Sequence, residues 1–260
     1  MPLEHWAMTA VWFAAGIVFG SFFVVVGIRL PVRRSIVRPP SACPHCGQRI
    51  RGVDLWPVVG WMLRLSKCRH CKAPISPLYP LMELATGVCF AVLYLRGSSL
   101  QEWAAGIALA SLLIVLAVSD LKYRLLPNRL VYPGLAACLL YRLVVHPLPL
   151  WQYGLGFLIG GGILWLVSWA GLRMNRPAMG GGDIKLMSML GLLLGAEQIL
   201  FVVLVSSALG LAIGLLLMAL GRMSRQAFLP FGPFIGLAGF LSWVYGERVV
   251  DWYLSYFVLA

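Results

Sequence analysis

The chain has 260 residues, of which 60% are hydrophobic and only 12% charged, and its formal net charge at pH 7 is +12. So little polar surface cannot cover a water-soluble fold, and several apolar runs are long enough to cross roughly 30 Å of hydrocarbon. The composition therefore excludes a single soluble core and predicts a membrane protein.

The apolar runs predict an all-α polytopic membrane protein. They give eight candidate spans, near 7–28, 78–96, 101–119, 130–146, 153–172, 184–196, 199–220 and 232–246. We expect the first to be a membrane helix rather than a cleaved signal peptide, because no Lys or Arg precedes it. The sixth reaches only about 20 Å at 1.5 Å per residue, which indicates a partly re-entrant segment or one that lies where the protein itself lines a cavity. Charged residues followed by aromatic ones predict an interfacial segment at 247–260.

The basic residues define the orientation. The loop 29–77 and the loops near 120–130, 173–185 and 222–225 together carry 18 of the 21 Lys and Arg residues. The positive-inside rule places these loops in the cytoplasm, and eight spans then put both termini outside. A nucleic-acid surface is the other interpretation of the basic loop. Its charges lack the interleaved aromatic residues of a stacking surface, so we expect no nucleic-acid partner.

The first basic loop contains two CxxC pairs, Cys43-Pro44-His45-Cys46 and Cys68-Arg69-His70-Cys71, with 21 residues between them. This is slightly beyond the usual zinc-ribbon spacing but has the same form. Disulfides are the alternative, but the charge bias places the loop in the reducing cytoplasm, where paired CxxC motifs usually bind metal. A four-thiolate shell leaves no coordination position open and is therefore structural. We predict a zinc-ribbon-like insertion with Zn²⁺ bound by Cys43, Cys46, Cys68 and Cys71.

Two of the nine acidic residues, Asp120 and Asp183, lie where apolar runs meet short basic loops. An ionisable residue at a membrane boundary is costly unless it faces the protein interior or a wet cavity, so both are candidate catalytic residues. The glycines 180–182 precede Asp183 and would let an extended peptide lie close to the main chain. Pro127 breaks the helix after Asp120. Both carboxylates are thus predicted beside unwound backbone, which peptide-bond cleavage requires because a helical substrate must first be opened.

Glu83, just inside the second predicted span, has two interpretations. Its side chain reaches a basic residue of the loop, or it lines the same cavity as the aspartates. The candidate substrate-binding residues are Gly180, Gly181, Gly182, Lys185 and Glu83.

Several motifs occur in one characteristic order along the chain. They are Gly20-Ser21-Phe22, Arg29-Leu30-Pro31, the two CxxC pairs, Ile75-Ser76-Pro77-Leu78-Tyr79-Pro80 with Glu83, Asp120 with Leu126-Pro127-Asn128, Gly180-Gly181-Gly182-Asp183-Ile184-Lys185 and Pro230-Phe231-Gly232-Pro233. Together they resemble the type IV prepilin peptidases, which are GxGD-type membrane aspartic proteases, over nearly the whole chain. The segment 20–37 looks closest to the competence-type peptidases of Gram-positive bacteria.

The resemblance implies an endopeptidase of the bacterial cytoplasmic membrane that cleaves the leader of type IV prepilins and pseudopilins at the cytoplasmic face. It implies Asp120 and Asp183 as the catalytic pair. Many relatives also N-methylate the new amino terminus with S-adenosylmethionine, but this chain carries Val24 where the common pattern has Asn. The resemblance divides the chain into a first transmembrane helix (1–28), a cytoplasmic four-Cys region also associated with methyl transfer (29–77) and a membrane peptidase domain (78–260).

The carboxylate pair supports hydrolysis on chemical grounds as well. Two adjacent carboxylates cannot both ionise easily, so the pair shares a proton, and its ionised member can activate water. Two other functions would use some of the same features. They are a proton- or ion-coupled transporter and a non-enzymatic zinc-ribbon scaffold for pilus assembly. The acidic residues of proton relays lie near the membrane midplane, whereas Asp120 and Asp183 are predicted at the membrane boundary, and a scaffold does not explain the two aspartates.

Overall fold

The computed structural model describes residues 3–97, 99–174, 179–224 and 228–257, and within these ranges it is helical, with no named strand. A short 3-10 helix, Gly52–Leu55, precedes α2. The α-helices are α1 Leu3–Arg29, α2 Val59–Leu63, α3 Leu78–Arg96, α4 Leu100–Tyr123, α5 Asn128–Val144, α6 Leu150–Arg173, α7 Gly181–Leu194, α8 Ala196–Ala219 and α9 Gly232–Phe257.

The all-α polytopic fold predicted from composition is confirmed, but the count of eight spans is not. Among the described residues, five helices are long and apolar enough to cross a membrane: Glu4–Arg29, Leu78–Arg96, Leu100–Tyr123, Leu150–Arg173 and Ala196–Ala219. Helices α5 and α7 are shorter, with 17 and 14 residues. Helix α9 continues to Phe257 because no proline follows Pro233 to end it. The segment predicted to be separate from residue 247 is therefore part of α9, and residues 258–260 lie outside the described residues.

The chain divides into two compact units, Met1–Val118 and Ser119–Ala260. In the first unit, α1 packs closely on α3 because glycines of α1 face the backbone of α3. A Cβ added to Gly16 would lie 2.7 Å from the Gly87 Cα, and one added to Gly20 would lie 2.9 Å from the Glu83 Cα. Such contacts between small residues are typical of membrane helix pairs.

The second unit is built around α7. Every residue from Leu186 to Leu194 is buried, and α5, α6, α8 and α9 all contact this helix. Helix α6 approaches closely through glycines, since a Cβ on Gly160 would lie 2.7 Å from the Met187 carbonyl oxygen. A short helix that is apolar on most sides can lie at membrane depth here because protein surrounds it.

Candidate active site

Asp120 lies in the last turn of α4, and the local sequence explains why the helix ends just after it. Arg124 adopts a left-handed backbone conformation (φ 54°), and its N–H donates to the Asp120 carbonyl at 2.7 Å. The Ser119 hydroxyl donates to the Leu125 carbonyl at 2.5 Å. Pro127, with extended dihedrals, then precedes α5. These bonds satisfy main-chain groups that the helix end leaves unpaired.

The Asp120 side chain is 5% exposed and binds the N-terminus of another helix. The N–H of Gly232, the first residue of α9, donates to Asp120 Oδ2 at 2.8 Å. A helix N-terminus is a favourable place for a carboxylate because its N–H groups are unpaired and its dipole is positive there. Sequence reasoning gave Gly232 no role, although the motif around it was recognised.

Asp183 occupies the first turn of its own helix, α7, where its carboxylate accepts a hydrogen bond from the Gly180 N–H. An acid at this position, reaching back to the residue before the helix, forms half of a capping box. Its other oxygen, Oδ1, is buried and has no hydrogen-bond partner among the described residues. A buried carboxylate oxygen needs a hydrogen-bond partner that the cap does not supply, which makes Oδ1 a candidate to bind water or substrate.

The fold brings the two aspartates together. Burial and the nearby charge of Asp120 raise the pKa of Asp183 to about 7, against the lowering effect of the Gly180 N–H. A carboxyl group with this pKa, near a second acid, remains partly protonated at neutral pH. The arrangement can therefore offer an ionised and a protonated carboxyl group to one reacting centre.

The candidate substrate-binding residues beside Asp183 have different surroundings. A Cβ on Gly182 would lie 2.8 Å from the Leu126 Cβ, so the close approach of the α4–α5 connection requires glycine there. Gly181 is exposed, with open space around its missing Cβ. The Lys185 ammonium donates to Asn128 Oδ1 at 2.9 Å and lies 5.1 Å from the Tyr132 ring centroid. Lys185 thus connects α7 to α5.

Arg142 of α5 contacts the other end of α7 and was not identified from the sequence. Its Nε donates to the Leu193 carbonyl at 2.6 Å, which satisfies a carbonyl in the last turn of α7. The guanidinium also lies over the rings of Tyr153 (4.8 Å) and Trp243 (5.7 Å). Helix α5 therefore holds α7 near both ends, which fixes the position of Asp183.

Glu83, the remaining candidate substrate residue, is 5% exposed and has partners within the first unit. Its Oε2 accepts the Val58 N–H at 2.7 Å, and Ser21 forms a side-chain hydrogen bond with it. These partners are a backbone amide and a hydroxyl rather than a basic residue of the loop.

The four predicted metal ligands form one cluster. Their sulfur atoms all lie within 4.8 Å of one another, with 3.8 Å between Cys43 and Cys71 and 4.0 Å between Cys46 and Cys68. A tetrahedral ion with bonds of about 2.3 Å places its sulfurs about 3.8 Å apart, so the cluster fits Zn²⁺. None of the four forms a disulfide. The alternative of two disulfides therefore does not describe this structure.

Each CxxC pair forms the same turn. The Gly47 N–H donates to the Cys43 carbonyl at 2.9 Å, and the Lys72 N–H donates to the Cys68 carbonyl at 3.1 Å. Gly47 and Lys72 both have positive φ, at 70° and 59°. The two turns thus present their cysteine pairs in equivalent ways.

A helical membrane fold that brings two largely buried carboxyl groups together is typical of membrane aspartic peptidases, and comparisons with known proteins give the family. Residues 14–97 match the bacterial peptidase A24 N-terminal domain, and residues 107–215 match the type IV leader peptidase family. The chain belongs to the type IV leader peptidase family, which confirms the resemblance found in the sequence.

Relatives align over almost the whole chain. A prepilin leader peptidase/N-methyltransferase of Bacillus subtilis (strain 168) is 34% identical, covering 95% of this chain and 98% of the relative. Proteins of the same name from Aeromonas salmonicida (strain A449) and Dickeya chrysanthemi are 31% and 34% identical. The alignment with the Aeromonas protein covers 98% of this chain and 98% of that relative. The alignment with the Dickeya protein covers 88% of this chain and 89% of that relative. No solved structure matches.

Proposed function

We propose that this protein is an aspartic endopeptidase that removes leader peptides from type IV prepilins or pseudopilins, with Asp120 and Asp183 as its catalytic pair. The observation that carries the proposal is the buried, unpartnered Oδ1 of Asp183 beside a second carboxylate. The names of the relatives supply the substrate class, and they favour an enzyme over a transporter or a scaffold.

The reaction is hydrolysis of one peptide bond. The ionised member of the pair takes a proton from water as the oxygen attacks the scissile carbonyl carbon. The protonated member donates a hydrogen bond to the carbonyl oxygen, and a proton then passes to the leaving amine as the carbon–nitrogen bond breaks. The shared proton belongs to the pair, so neither aspartate is assigned one role alone.

The substrate approaches along the segment before α7. Gly180 and Gly181 are both exposed and have no side chain, so an extended peptide can approach the main chain closely there. Gly182 serves packing against Leu126, and Lys185 holds α7 to Asn128. We assign the peptide contact to Gly180 and Gly181 and a positioning role to the other two.

The cysteine cluster holds a structural Zn²⁺ in this proposal. Four thiolates complete its shell, so the ion supplies folding free energy to the 29–77 region and no catalytic step. Replacing Cys46 by Ser should lower the zinc content and speed proteolysis between Pro31 and Pro77. Equal protease resistance with and without zinc would refute the folding role.

Methyl transfer is the second activity to consider, and the surroundings of Val24 argue against it. Val24 is fully buried and packs with Met82 and Val118 in an apolar cluster. This apolar setting does not fit a polar contact to S-adenosylmethionine, so no step here uses that group. We expect weak or absent N-methylation of cleaved pilin.

The proposed topology has eight crossings, with both termini outside and the aspartates at the cytoplasmic side of the bacterial cytoplasmic membrane. The functional parts are the first transmembrane helix (1–28), the cytoplasmic four-Cys region (29–77) and the peptidase domain (78–260). Single cysteines introduced at Gln48 and His146 should label from opposite sides. Labelling from the same side would refute the topology.

The activity itself is tested with purified protein in nanodiscs and a full-length prepilin. Mass spectrometry should find one new amino terminus, directly before the hydrophobic helix of the pilin. An intact prepilin after incubation with correctly folded, zinc-loaded protein would refute the proposal.

A further inference from the structure

An apolar face lies outside the membrane spans, on the connection between α1 and α3. Its large apolar side chains are 43% to 80% exposed, and they are Val53, Leu55, Trp56, Val59, Met62, Leu63 and Leu65. None lies in the five candidate spans. Exposed apolar surface of this density in a polar loop indicates contact with a membrane or another molecule.

This segment has its own internal structure. A Cβ on Gly60 would lie 2.6 Å from the Asp54 carbonyl oxygen, so α2 packs directly on the 3-10 helix. Arg64 Nε forms an ion pair with Asp54 Oδ1 at 2.6 Å. The two charged side chains of the segment thus pair with each other, while the apolar side chains remain exposed.

Val58 at the tip of the segment has a strained backbone. Its dihedrals are φ 61° and ψ −55°, and the Val59 N–H donates to the Pro57 carbonyl at 2.6 Å across it. This γ-turn with positive φ is rare, and a β-branched residue is especially unfavourable there. Such a conformation persists only where its surroundings hold it, and here the Val58 N–H donates to the buried Glu83.

That hydrogen bond sets the depth of the segment. Glu83 lies five residues after Leu78, the first residue of α3, which is about 7.5 Å along the helix axis at 1.5 Å per residue. Ser21, its other partner, lies eight residues before the end of α1, or about 12 Å along that helix. The tip is therefore level with two membrane helices, at a depth where an unpaired N–H is costly.

The charge around the segment favours lipid as the occupant. Nine basic residues and one acidic residue lie between Arg33 and Lys72, and the acid, Asp54, is paired with Arg64. Basic segments next to a membrane helix bind anionic headgroups. Amphipathic segments bury their apolar side about 5–10 Å into the headgroup and acyl boundary, which agrees with the depth given by Glu83.

We propose that residues 53–65 form an interfacial hairpin that inserts its apolar face into an anionic leaflet and is anchored there by the Glu83–Val58 hydrogen bond. Glu83 acts in this role as a positioning residue. The hairpin holds the connection that carries the cysteine cluster against the membrane surface.

Photo-crosslinking of the full-length protein tests the hairpin. Met62 is replaced by p-benzoylphenylalanine, and the protein is illuminated in nanodiscs of phosphatidylglycerol and phosphatidylcholine. Matched proteins carry the same residue at Phe19, exposed on α1, or at Gln48, exposed in the first cysteine turn. The yield of phospholipid adduct, measured by mass spectrometry, should be similar at positions 62 and 19. At both positions it should be several-fold higher than at position 48. Equal yields at positions 62 and 48 would overturn the proposal.

Two further outcomes test the occupant and the anchor. If added prepilin replaces the lipid adducts at position 62 with peptide adducts, the face is a substrate groove and the proposal is wrong. Glu83→Leu should lower the lipid yield at position 62 several-fold without changing that at position 19, whereas Met82→Leu should change neither. Val58→Pro, which removes the donor N–H and also excludes the φ of 61° in this turn, should reproduce the Glu83→Leu loss. An unchanged yield in either variant would refute the anchor.

Discussion

Replacing Gly232 by Ala should slow leader cleavage by about 10- to 100-fold while the protein remains folded. The Gly232 N–H binds Asp120 Oδ2 at 2.8 Å, and an added Cβ would lie 2.8 Å from the same oxygen and 3.1 Å from Cγ. Ordinary contact begins near 3.4 Å, so the carboxylate has to move by about 0.6 Å, the difference between 3.4 and 2.8. A misplacement of about 1 Å at a reacting group can cost about 100-fold in rate.

The assay is kcat/KM for prepilin cleavage in nanodiscs, with thermal unfolding measured on the same preparation. Gly162→Ala is the matched control, because a Cβ at that position meets nothing within 4 Å. If Gly232→Ala has the kcat/KM of the wild type and an unchanged unfolding temperature, Asp120 does not depend on the α9 N-terminus for its position.

Three other predictions concern packing, pH and methylation. Gly160→Ala should have a free energy of unfolding about 1–3 kcal/mol lower than that of Gly162→Ala in denaturant. Both variants gain helix propensity, but only the Cβ at position 160 meets the backbone of α7. Equal free energies of unfolding would contradict the packing argument. Cleavage should decline as pH rises through about 7, because the raised pKa of Asp183 keeps the shared proton only below that value, and a rate still rising at pH 8 would contradict a protonated partner. Finally, mass spectrometry of cleaved pilin should find little or no N-methyl group, and robust methyl transfer would show that Val24 is no impediment.

The sequence predicted features that depend on local pattern. The spacing of the CxxC pairs predicted the cysteine cluster because each pair forms a turn with its immediate neighbours. The short sixth span was predicted to be partly re-entrant or to lie where the protein lines a cavity, and α7 is enclosed by protein from Leu186 to Leu194. The count of spans depends on more than apolar length, because length alone does not distinguish a helix that can cross the bilayer by itself from one that its neighbours enclose, as α7 is.

Features that depend on distant contacts could not be predicted. Asp120 and Gly232 are 112 positions apart, and Arg142 and Leu193 are 51 apart. No periodicity relates such positions, so the support of Asp120 by α9 and of α7 by α5 required the fold. The hydrogen bond between Glu83 and the Val58 amide also required the fold, because the two residues are 25 positions apart.

The central claim is that Asp120 and Asp183 act as one water-activating pair, and a double-mutant cycle on kcat for prepilin cleavage tests it most directly. Asp120→Asn and Asp183→Asn should each remove nearly all cleavage while prepilin binding and membrane insertion persist, because the loss is in transition-state stabilisation. The double mutant should be little slower than either single mutant, since residues that act as a unit are strongly non-additive. Substantial activity in either single mutant, or multiplicative losses in the double mutant, would contradict the shared catalytic role.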